Sequence, residues 1–109
     1  MALTDCPDSD GSTYNALDRF TSEPGTTRFT KHCGYHVDGN DLVAAYVQSF
    51  NLCIDMCSNY NSINATGAAQ CTAVEFLADG GIPPSNCWAK TGSNIVQKVG
   101  ANVALLLPS

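Results

Sequence analysis

The chain has 109 residues, 44% hydrophobic and 14% charged, with a formal charge of −5 from ten acids and five bases. That length and apolar content fit one globular domain, 1–109, with its core over about 6–106. Arg19, Arg28, Lys31, Lys90 and Lys98 are scattered, which excludes the basic stripe of a nucleic-acid binder, and no apolar run is long enough for a membrane-spanning helix.

Residues 5 to 12 cluster Asp, Pro, Ser and Gly, which is turn chemistry, and Tyr14 follows as an anchor. Asp8-Ser9-Asp10-Gly11 has the look of a calcium loop, but Cys6 and Leu17 stand where that loop needs acids, so a tight turn is expected. Residues 18 to 27 are polar and carry the turn signal Pro24-Gly25. From Thr26 to Val37 alternation predicts a strand, with Phe29, Lys31, Cys33 and Tyr35 on one face and Arg28, Thr30 and His32 on the other. Asp38-Gly39-Asn40-Asp41 closes it with a turn, and Leu42 to Val47 reads as short extended structure.

Ser49 is placed to cap a helix. Phe50, Cys53, Ile54, Cys57 and Tyr60 then recur at helical spacing, with Asn51, Asp55, Ser58 and Asn59 opposite them, over about three turns. Asn61 to Ala69 predicts a polar loop. Gln70 to Leu77 predicts a strand with Cys71, Ala73 and Glu75 on one side and Thr72, Val74 and Phe76 on the other. After a loop from Asp79 to Asn86, Cys87 to Lys90 and Gly100 to Leu106 supply two further strands. There is no internal repeat and no linker.

Six cysteines in so short a chain read as staples in an oxidising compartment. Met1 to Asp5 has neither the basic nor the apolar region of a signal peptide, so the expectation is a secreted protein whose signal has been removed. Asn64-Ala65-Thr66 is an N-glycosylation acceptor, which agrees with secretion and places that loop at the surface. The cysteine spacing alone leaves the connectivity open.

No catalytic constellation accompanies the cysteines. His32 adjoins Cys33, but neighbours on a strand point to opposite faces, so the imidazole is badly placed to activate the thiol. Cys53 and Cys57 are spaced by three residues rather than the two of thioredoxin-like redox sites. His32, Cys33 and His36 lack the paired spacing of zinc ligands, so neither metal nor cofactor is expected. Glu75, the one acid inside a predicted strand, has no acidic partner for acid–base work, and is expected to be solvated or salt-bridged. The sequence thus favours a binder over an enzyme. Its candidate ligand residues are Tyr35, His36, Asp38, Asn40 and Asp41, where aromatic and polar groups run into a turn. Trp88 is expected to pack, with stacking on a sugar ring as the alternative. The apolar segment 101–107, if it forms an edge strand, offers free backbone groups for self-association.

Cys53-x3-Cys57 on a helix, then Cys71-Thr72-Ala73-Val74-Glu75-Phe76, then Asn86-Cys87-Trp88-Ala89-Lys90, resembles the PAN/apple family over almost the whole chain. Cys33-Gly34-Tyr35-His36-Val37-Asp38-Gly39-Asn40-Asp41-Leu42 and Val103-Ala104-Leu105-Leu106 are similar to the subset found in secreted fungal proteins. The resemblance implies an α+β fold in which a small antiparallel sheet cradles one helix. It also implies nested disulfides Cys53–Cys87 and Cys57–Cys71, which leaves Cys6 with Cys33. No cysteine follows Cys87, so the outer bridge that joins the termini of coagulation-type apple domains is absent. The function implied is non-enzymatic protein–protein or protein–carbohydrate recognition at a cell surface, wall or matrix. The alternatives are a self-assembling extracellular structural protein and a host-directed cysteine-rich effector.

Overall fold

In the computed structural model of the chain, Cys6, Asp8 and residues 10–17, 24–63, 70–77, 85–92 and 94–107 are described. They form β1 (Thr13–Leu17), β2 (Pro24–Asp38), β3 (Asp41–Ala45), α1 (Phe50–Ile63), β4 (Ala73–Phe76), β5 (Cys87–Lys90) and β6 (Asn94–Leu106). The strands make one sheet in the order β1-β2-β6-β4-β5-β3, and every neighbouring pair is antiparallel. The fold is α+β, a small antiparallel sheet with one helix against it and three disulfides.

Two faces of the sheet do different work. On the helix side, Phe29, Val74, Phe76, Cys87, Ala89 and Ala104 meet Phe50, Cys53, Ile54 and Cys57 of α1 in the main core. Phe50 stacks on Phe76 with ring centroids 5.6 Å apart. The other side carries a smaller cluster of Val37, Ala73 and Val103, with Tyr35, Ile95 and Leu105 packed on it. Ser49 caps α1 as predicted, its Oγ accepting from the Leu52 amide at 3.1 Å. The helix runs on through Ile63, beyond the Asn61 boundary expected from polarity.

All six cysteines are paired, as Cys6–Cys33, Cys53–Cys87 and Cys57–Cys71. Two bridges tie α1 to the sheet side and one pins the N-terminal arm to β2. Asp10 supports that pin, its Oδ1 accepting from the Cys33 amide at 2.9 Å. The acidic turn at residues 8–11 thus has a structural task. Cys71 does not share a face with Ala73 and Glu75. It precedes β4, so strand alternation does not bind it, and it turns into the main core to reach Cys57.

Several sequence expectations need correction. Pro24-Gly25 opens β2 instead of turning the chain. A strand's first residue is where proline's missing donor costs little. β1 and the first half of β6 (94–99) are strands that composition did not reveal. Segment 101–107 is no edge: residues 102–106 of β6 lie between β2 and β4, which pair with it on both sides. Its backbone groups are engaged, so self-association through 101–107 is removed. Finally, Asp55 and Ser58, expected on the solvent side of α1, are buried, Asp55 against Tyr14 of β1, whose hydroxyl donates to it.

The β2–β6 ribbon is jointed. Between the pairs Cys33–Asn102 and Tyr35–Gln97 one residue, Gly34, stands on β2 against four, 98–101, on β6. Gly34 and Gly100 take φ of 81° and 90°, which only glycine adopts without strain. Past this joint the facing of β2 is reversed. Tyr35 and Val37 therefore sit on the small cluster opposite the helix, and not with Phe29 and Lys31 on the helix side.

Candidate functional site

The predicted ligand residues fall at the end of the β2–β6 ribbon, on the sheet face away from the helix. That joint brings the end of β2 over β4. The Val37 amide donates to Glu75 Oε1 at 3.2 Å, a contact across 38 residues of sequence. His36 comes with it. Its Nε2 lies 3.1 Å from Asp38 Oδ1, and its Nδ1 lies 2.6 Å from Glu75 Oε1. The second approach is off the N–H axis, since Nδ1 has no aligned hydrogen-bond partner, and so is a close polar contact rather than a directed bond.

Lys90 of β5 completes the group. Its Nζ is 3.4 Å from Asp41 Oδ1, 3.8 Å from Glu75 Oε1 and 3.4 Å from the Val37 carbonyl. Three carboxylates, an imidazole and an ammonium thus converge from β2, β3, β4 and β5. Glu75 is buried and Lys90 nearly so, whereas Asp38 and Asp41 are exposed. The buried half holds the ribbon on the sheet, and the exposed carboxylates, held on one side by His36 and Lys90, face solvent. Trp88 stands directly opposite Glu75 on β5, partly buried on the same face. An aromatic ring beside carboxylates and an imidazole is a combination suited to hydroxyl-rich or cationic groups.

Of the five predicted residues, His36, Asp38 and Asp41 are brought together. Tyr35 is partly buried in the small cluster, 6.0 Å from His32 in an edge-to-face contact. Asn40 sits in the turn, where its amide donates to Thr91 Oγ1 and its carbonyl accepts from the Thr91 amide. Gly39 packs so closely on the Thr91 carbonyl that no side chain fits. Sequence reading missed Glu75 and Lys90 as members of this group. Glu75 lies between apolar neighbours in β4, and that placement was the one available signal. Asn64 lies outside the described residues.

A second polar group lies between sheet and helix. Tyr14 Oη donates to Asp55 at 3.0 and 3.2 Å, and Lys31 Nζ donates to Asn51 Oδ1 at 2.6 Å while lying 5.2 Å from the Tyr14 and Phe50 rings. Burial, then the hydrogen bond and charge of Asp55, push the Tyr14 hydroxyl well above its ordinary pKa. This group is closed in by α1 and is a packing device.

Among the described residues no set of three or more His, Cys, Asp or Glu side chains has metal-holding geometry. No described helix is long and apolar enough to cross a membrane. Comparison with protein-family models, with curated proteins and with solved structures gives no significant match.

Proposed function

We propose that the chain is a secreted, non-enzymatic binding module of PAN/apple type. In this reading the ribbon end around His36, Asp38, Asp41, Glu75 and Lys90, with Trp88, recognises a glycan or protein at a cell surface, wall or matrix. The observation that carries it is the convergence of these carboxylates, an imidazole and an ammonium beside a tryptophan on the sheet face that the helix leaves open. The compartment is supported by three disulfides in a small domain, a pattern of oxidising environments. Support for the family comes from the nested pair Cys53–Cys87 and Cys57–Cys71 joining helix to sheet.

The test is a glycan array probed with the oxidised protein, run beside a pull-down of protein ligands. Asp38→Asn serves as the site variant, because Asp38 is exposed and its removal leaves the buried Glu75 contacts in place. Binding that falls at least tenfold in this variant, with an unchanged melting curve, supports the site. Silence on glycans assigns the site to a protein partner. Binding that the variant leaves intact removes the site.

A further inference from the structure

The far edge of the sheet presents a different surface. Among the described residues β3 ends the strand order and pairs with β5 alone. The helix packs on β1, β4 and β5, so β3 projects past its shoulder. Val43, Tyr46 and Leu52 there are 38%, 50% and 47% exposed, well above what a core-facing residue shows. With Met56 and Tyr60 they line an apolar groove of about 560 Å³ between β3 and the helix. The described lining includes the carboxylate Asp55 and neither Lys nor Arg.

We propose that the β3 edge and this groove bind an extended peptide in which apolar residues alternate with basic ones, added to the sheet as a further strand. Unpaired edge groups supply main-chain bonds, and a neighbouring groove supplies side-chain selection. Val43 pairs with Ala89, a core residue, and so faces the helix side. Alternate side chains of an added strand therefore fall beside Val43 into the groove. The intervening ones lie on the other face with Ala44 and Asp41, whose carboxylate lies 3.4 Å from Lys90 yet is 58% exposed, and its open side matches a lysine or arginine. From Leu52 to Tyr60 the helix advances about 12 Å, at about 1.5 Å per residue, which an extended segment of about four residues spans.

A second copy of the chain fits this edge poorly. Each copy carries a formal charge of −5 and would bring its own Asp41.

The probe is an acetylated heptapeptide alternating leucine with lysine and threonine, titrated into the oxidised, isotope-labelled chain and followed by amide chemical shifts. Shifts confined to Leu42–Tyr46 and to Leu52 and Met56 are expected, with slowed exchange of the Ala44 amide. Replacing the peptide's lysines by glutamate, or its central residue by proline, should weaken binding at least tenfold. Leu52→Lys and Asp41→Asn in the protein should each weaken it several-fold while leaving the unliganded spectrum folded. Equal binding of all three peptides, or shifts centred elsewhere, overturns the proposal. Concentration-dependent shifts of Leu42–Tyr46 without peptide would assign the edge to a second copy and overturn it as well.

Discussion

Tyr14 holds its proton because the alternative is an anion against an anion. Its hydroxyl donates to Asp55, and burial followed by that carboxylate raises its pKa above the ordinary 10.0. In the unfolded chain the phenol ionises near its usual value of about 10, while the folded chain retains the proton to higher pH. The stability this supplies is complete below about pH 10 and is lost as pH rises toward the folded value. Tyr14→Phe is expected to cost about 1 to 2 kcal/mol at neutral pH, the worth of one part-buried bond to a charged group. That gap should narrow above about pH 10 in urea melts run from pH 7 to 11. A gap that stays constant would mean the hydroxyl is uncoupled from Asp55. Asn86 is the other single residue with wide reach. Fully buried, it accepts from the Val47 amide at 2.8 Å and donates to the Val47 carbonyl at 2.9 Å, standing in for a strand partner between β3 and α1. Asn86→Ala leaves both Val47 groups unpaired and should cost about 2 to 3 kcal/mol, read as a lowered urea midpoint with unchanged slope.

At the scale of the element, the joint in the β2–β6 ribbon decides where the candidate site lies. Gly34 has φ of 81° and no atom within 4 Å of where a Cβ would stand, so a substitution there is penalised by backbone conformation and not by collision. Gly34→Ala should therefore cost about 1 to 2 kcal/mol. Its effect should be local: the Val37 amide, bonded to Glu75 beyond the joint, exchanges faster, while Phe29 and Lys31 before it keep their protection. Uniform acceleration would show that the ribbon does not bend independently. Elements with a one-sided apolar pattern were legible in the sequence, and those without one were not. The helix was, since Phe50, Cys53, Ile54 and Cys57 repeat with its period and Ser49 caps it. β4 and β5 were, since apolar residues dominate them. β1 was not, because among its described side chains Tyr14 and Ala16 alone turn inward and the flanking Asp, Ser and Gly speak for turns. The start of β6 was not, because Val96, Gln97, Lys98 and Val99 are exposed and have no face to declare. His36, Asp38 and Asp41 were visible as a polar group, but Glu75 and Lys90 join them only through strand pairing. Asp55 and Ser58 misled for the opposite reason: polarity suggests solvent, and each is instead buried.

For the whole molecule, the three disulfides are unequal in what they hold. In the chain-entropy account each contributes about 3 to 4 kcal/mol, less where loops overlap, against a net domain stability of about 5 to 15 kcal/mol. The Cys6–Cys33 bridge is partly buried and restrains an arm beside β2, so its loss removes little besides that entropy. Cys53 and Cys87 are fully buried in the main core, between Phe76 and the helix side chains. Replacing both by alanine adds lost packing to the lost loop restraint, and does so where α1 meets the sheet. The ranking follows: the Cys6→Ala/Cys33→Ala variant should remain folded with stability lowered by about 3 kcal/mol. The Cys53→Ala/Cys87→Ala variant should lose clearly more and approach the unfolded state, as near-ultraviolet circular dichroism and urea midpoints would show. Full reduction should abolish cooperative unfolding. Identical melts with and without reductant would remove the bridges from the account of stability. A reversed ranking would place the weight of the fold on the N-terminal arm and not on the helix–sheet frame. Under the expected ranking the ribbon end and the β3 edge survive loss of the arm, since no described residue before β1 belongs to either surface.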